Sequence, residues 1–134
     1  MGLFTRIFGI CNTRLPSDAG SWKYSAGKIE IELDQVPELA APGDAIRLEG
    51  MGLPERVLVY NGGDGKFHAF RNKCTHMGGR RLDPLPGTAD IRCCSVSKST
   101  FNLSGEVVSG PAKRLLKSYP VKTEDQKLMV LLES

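Results

Sequence analysis

Cys74, Thr75 and His76 place a thiol and an imidazole two residues apart. On an extended segment, side chains at i and i+2 point the same way, so both can approach one metal centre. Gly78 and Gly79 follow and let the backbone turn closely around such a centre. Cys94 comes later, beside Cys93, in a second loop-like stretch. Thiolate with imidazole suits zinc or iron–sulfur chemistry. By itself the Cys-x-His pair also fits a buried cysteine next to a surface histidine.

The surrounding sequence supplies short strands to hold these loops. Lys28 to Leu33 (KIEIEL) alternates polar and apolar residues, the period of a half-buried strand. AIRLEG, RVLVY and KFHAFR are further strand candidates, and Asn61-Gly62-Gly63-Asp64-Gly65 between the last two is a hairpin signal. Pro42-Gly43-Asp44 marks a turn. YPVKT and KLMVLLE, separated by Glu124-Asp125-Gln126, predict a closing hairpin. Residues 72–112, rich in Gly, Pro, Cys and Ser, hold two loops between these strands. Short strands punctuated this way indicate an all-β sandwich or barrel. Residues 1–26 are the least patterned part, with SDAGSW and SAG reading as loop.

After Cys94 the chain reads Ser95-Val96-Ser97-Lys98-Ser99-Thr100-Phe101, then Gly105-Glu106-Val107-Val108-Ser109-Gly110-Pro111-Ala112, then Leu116-Lys117-Ser118-Tyr119-Pro120-Val121. With Asn72-Lys73-Cys74-Thr75-His76 before it, this order resembles the Rieske iron–sulfur domain family over about residues 28 to 132. The family carries Cys-x-His, then Cys-x-x-His-Gly-Ser-x-Phe/Tyr, a Gly-Glu-Val strand and a Gly-Pro-Ala loop. The resemblance implies an antiparallel β-sandwich or barrel over 27–134, preceded by an N-terminal extension, 1–26. It implies a small cluster-binding subdomain of two loops, 72–82 and 93–101, with a proline loop at 109–113.

The resemblance further implies a [2Fe–2S] cluster, two cysteines on one iron and two histidines on the other. Carried over, Cys74 and Cys94 are the thiolate pair and His76 is one imidazole. Ser97 stands where the second imidazole belongs, and Lys98 replaces the glycine after it. Ser99 matches the serine that donates to a bridging sulfide, Phe101 stands where some members have a tyrosine, and Pro111 lies in the loop that shields the cluster. The spacing to Phe101 selects Cys94 as the ligand. Cys93 then points away as a small buried residue, or turns in as a substitute fourth ligand.

Three readings follow from Ser97. In the first, the chain is an electron-transfer protein or an oxidoreductase component rather than a stand-alone enzyme, with Ser97, Cys93 or water as fourth ligand. With His76 as the one imidazole, at most one proton should couple to reduction. In the second, the cluster is absent and the fold is an accessory or interaction domain, resembling the small subunit of assimilatory nitrite reductase. In the third, Cys74, His76 and Cys94 hold a zinc ion; no general base sits in either loop to use it.

The 134 residues carry a net charge of +3, which fits an acidic partner and makes no case for nucleic acid. Lys73, Arg80, Arg81, Arg92, Lys98, Lys113, Arg114 and Lys117 crowd the two loops, either as a solvated rim or as a docking surface for an acidic redox partner. No apolar run reaches the length of a membrane span, and the start is not a signal peptide. Leu3, Phe4, Ile7, Phe8 and Ile10 would share one face of a helix that docks or touches lipid; the alternative is a frayed start or a segment packed on the domain. The protein is expected to be cytoplasmic, its four cysteines outside any disulfide framework. Cys11 is read as structural and His68 as a surface or satisfied histidine.

Overall fold

Val57, Leu58, Val59 and Tyr60 are all buried, not every second one. That run sets the architecture, because a strand buried on both faces must lie between two layers. The computed structural model describes residues 13–62, 66–75, 81–84, 90–94, 99–110 and 114–132. Their strands are β1 (Trp22–Ser25), β2 (Lys28–Glu32), β3 (Ala45–Leu48), β4 (Val57–Asn61), β5 (Phe67–Arg71) and β6 (Leu82–Pro84). The rest are β7 (Ile91–Cys93), β8 (Thr100–Phe101), β9 (Val107–Ser109), β10 (Ser118–Tyr119), β11 (Val121–Glu124) and β12 (Lys127–Leu131). They form three four-stranded sheets, ordered β1-β2-β12-β11, β10-β5-β4-β3 and β6-β7-β8-β9. The pairings within them are antiparallel.

The middle sheet carries both cores. Val57 and Val59 of β4 pack with Ile29, Ile31, Leu128 and Val130 of the first sheet. Leu58 and Tyr60, on the opposite face, pack with Leu82, Ile91, Cys93 and Phe101 of the third. Period-2 alternation makes this division automatic. Each fully buried Val, Leu or Ile contributes about 1.5–3 kcal/mol, so both interfaces are substantial. The expected all-β sandwich with a small loop-bearing subdomain is therefore present as three layers.

The expected strands form, with two differences. Trp22–Ser25, whose end residues fall in the stretches SDAGSW and SAG expected as loop, is an edge strand on β2, because buried Trp22 and half-buried Tyr24 join the first core across the Ala26–Gly27 turn. YPVKT divides at Pro120: Tyr119 pairs with Ala69 in the middle sheet, while Val121 pairs with Val130 in the first. Among the described residues no helix is long and apolar enough to cross a membrane.

Candidate metal centre

β5 delivers the first loop. At its end Asn72 is fully buried, and its Oδ1 accepts from the Leu82 N–H at 2.7 Å. That bond clips together the two ends of the loop carrying Cys74. Arg56 closes the outer side of the clip: the Asn72 N–H donates to the Arg56 carbonyl at 2.8 Å, and Arg56 Nε donates to the Asn72 carbonyl at 3.1 Å. Asn72 Nδ2 is buried without a hydrogen-bond partner among the described residues, a state costing about 1–3 kcal/mol.

β7 delivers the second loop. The Cys93 N–H donates to the Ser99 carbonyl at 2.8 Å, closing the loop at its base. The Cys94 N–H donates to the Arg81 carbonyl at 2.9 Å, joining the second loop to the end of the first. Arg81 is fixed in turn by a two-point pair with Glu49, Nε to Oε2 at 2.6 Å and Nη2 to Oε1 at 3.0 Å. Arg47 Nη1 reaches the same Oε2 at 3.0 Å. Hydrogen bonding from Arg81, then from Arg47, holds the Glu49 carboxyl below the ordinary range although burial opposes it, and the same pairing raises Arg81.

A third segment covers the pair. Gly110, at φ +94°, lies so near Ser99 that an added Cβ would come within 2.5 Å of the Ser99 Cα. Thr75 Oγ1 donates to the Arg114 carbonyl at 2.8 Å, and the Leu116 N–H donates to the Gly105 carbonyl at 2.7 Å. The chain flanking the 109–113 loop is thus tied to the first loop and held against the second.

Cys74, Cys93 and Cys94 are 2%, 3% and 5% exposed, and Ser99 is fully buried. Cys74 and Cys93 share the apolar cluster under the third sheet. Cys93 lies on the same face of β7 as Ile91, whereas Cys94 is not part of that cluster. Cys74 and Cys93 carry no disulfide, but Cys94 is disulfide-bonded, against the expectation of reduced cysteines. That expectation rests on compartment, which does not constrain local geometry. His76, Ser97, Lys98 and Pro111 lie outside the described residues, as do Cys11, residues 3–10, Arg80 and Lys113. Among the described residues no three His, Cys, Asp or Glu side chains gather as a metal site.

The donor chemistry fits an iron–sulfur group in one redox state of the chain. Two loops bearing Cys74 and Cys94 are pinned together, and an unpaired buried donor sits at the base of the first. The Cys94 sulfur is open to a metal only once its disulfide is reduced. Of the basic residues, Arg81 is engaged by Glu49, whereas Lys73, Arg114 and Lys117 are exposed. His68 is half-buried, its ring 6.4 Å from that of Tyr60. Sequence reasoning missed Asn72, Arg56 and Glu49 as positioning residues. A polar residue two positions before the Cys-x-His pair is the only signal that Asn72 offers.

Comparison with known proteins gives a consistent set. The family profile of the Rieske [2Fe-2S] domain matches residues 30–120. The chain is 36% identical over 76 residues to the cytochrome b6-f complex iron-sulfur subunit of Chlorobaculum tepidum, covering 57% of this chain and 40% of that subunit. It therefore spans less than half of that relative's length. It is 31% identical over 104 residues to the biphenyl dioxygenase ferredoxin subunit of a Pseudomonas species, covering 73% of this chain and 84% of that one. The solved ferredoxin of carbazole 1,9a-dioxygenase from Nocardioides aromaticivorans shares the fold, with TM-score 0.60, 24% identity, and coverage of 76% and 93%.

Proposed function

The chain belongs to the Rieske [2Fe-2S] domain family, and from that premise we propose that it carries single electrons between redox partner proteins. The observation that supports this most is the Cys94–Arg81 bond, which brings the two cysteine-bearing loops together. A [2Fe–2S] cluster bound there would supply a one-electron couple.

Cys74 and reduced Cys94 would hold one iron as thiolates. His76 would hold the other, with Ser97 or Cys93 as the fourth ligand. A serine oxygen is a harder, charged donor than imidazole, and favours the ferric state. Ser99, held under Gly110, would donate to a bridging sulfide, and the loop containing Pro111 would exclude water. Cys94 becomes available when two electrons and two protons convert its disulfide to thiols. A reducing compartment such as the cytoplasm suits that requirement.

The partner we propose presents an acidic surface. Exposed Lys73, Arg114 and Lys117 lie on the two segments that the Thr75–Arg114 bond joins, and Leu115 between the last two is 67% exposed. A basic rim around an apolar contact suits a transient redox encounter. The dioxygenase ferredoxin relatives support a partner of oxygenase type.

One observation favours the second reading, a cluster-free interaction domain: the Cys94 disulfide withdraws a thiolate. Voltammetry of protein reduced and reconstituted with iron and sulfide separates the two. The electron-transfer reading expects a reversible one-electron wave; a featureless voltammogram from folded, reduced protein supports the interaction domain instead.

A further inference from the structure

We propose that Asn72 Nδ2 donates a hydrogen bond to a sulfur of the bound cluster and so raises its reduction potential. The proposal rests on the electron-transfer reading and adds a residue to it. Asn72 is fully buried at the base of the loop that carries Cys74. Its other three polar groups are satisfied. The main-chain N–H and C=O both engage Arg56, and Oδ1 accepts from Leu82. The Leu82 contact also fixes which amide atom is which, because an N–H requires the oxygen opposite it.

Nδ2 is left as a buried donor without an acceptor among the described residues. The other asparagines with described side chains behave differently. Asn61 Nδ2 donates to the Leu39 carbonyl at 3.0 Å, and Asn102 Nδ2 donates to Glu106 Oε1 at 2.9 Å. A buried donor without a partner calls for an explanation, and an acceptor that arrives with a ligand is one. Here the Cys74 thiolate lies two residues on, and sulfide sulfurs would sit beside it. Donation to those sulfurs stabilises the reduced, more negative cluster.

Asn72→Asp keeps an oxygen for Leu82 and removes the donor. The test is pulsed EPR on reduced, reconstituted protein grown with side-chain-amide 15N-labelled asparagine, alongside voltammetry of wild type and Asn72→Asp. The expected result is a weak 15N coupling in wild type that disappears in the variant, whose potential shifts negative. The wild-type spectrum alone decides the matter if the variant does not fold. A wild-type cluster with no asparagine-derived 15N coupling overturns the Asn72 role and leaves the electron-transfer reading standing. A reduced, reconstituted wild type without iron and sulfide overturns both.

Discussion

The Cys94 N–H donates to the Arg81 carbonyl across 2.9 Å while the Arg81 guanidinium grips Glu49 at two points. Cys94 thus hangs, through one residue, from the end of β3. The cluster subdomain is positioned by the middle sheet at a point outside both cysteine loops.

This linkage gives a pH prediction. Glu49 is held below its ordinary range by Arg81 and then Arg47. A depressed carboxyl stabilises the fold fully above the unfolded value and loses that contribution as pH falls through the folded one. Thermal stability should therefore fall progressively from about pH 5 downward. Glu49→Gln should be destabilised by about 1–2 kcal/mol near neutrality and show a flatter acid limb. An unchanged acid limb in the variant would remove Glu49 as its cause.

Gly110→Ala should unsettle the site through Ser99. The new Cβ would lie 2.5 Å from the Ser99 Cα and 2.9 Å from its nitrogen, both backbone atoms that cannot turn aside. The φ of +94° adds strain for any side chain. A loss of about 2 kcal/mol or more is expected in denaturant titration. Glycine at position 43 is the control: its φ is also positive, +93°, but its Cβ would meet nothing within 4 Å. Gly43→Ala should cost less than Gly110→Ala; equal losses would mean that strain, not the approach to Ser99, decides.

Much of the fold was legible because binary patterning fixes which face each residue takes. KIEIEL alternates and became β2, buried on one side. RVLVY does not alternate, and only the three-layer arrangement explains why. The Cys-x-His pair flagged the segment that follows β5 and the Gly-Pro-Ala text the one that follows β9, although His76 and Pro111 lie outside the described residues. What joins the loops was not legible. Glu49 precedes a glycine-rich turn and looks like any solvated carboxylate, while its partner Arg81 lies 32 positions away. Asn72 looks like a strand-end residue, and its clip to Leu82 depends on a loop closure that sequence does not encode locally.

Ser97→His should restore a second imidazole. With a neutral ligand in place of a charged oxygen, the potential should rise by roughly 100 mV or more. A second proton should couple to reduction, visible as a steeper pH dependence in voltammetry. A potential that does not move would exclude Ser97 as a ligand and direct attention to Cys93, for which Cys93→Ser is the matching variant.

Charge reversal of Arg114 and Lys117, both exposed, should weaken association with an acidic redox partner. The loss should appear mainly in the association rate and shrink as salt is raised. A binding rate insensitive to salt in the unaltered protein would count against the basic docking rim.

The account stands most directly on iron and acid-labile sulfide content, measured with the visible spectrum on protein purified without oxygen and with a thiol reductant. We expect about two irons and two sulfides per chain with iron–sulfur absorption, and loss of both in Cys94→Ala. A colourless, fully folded and metal-free protein with its Cys94 reduced would contradict it.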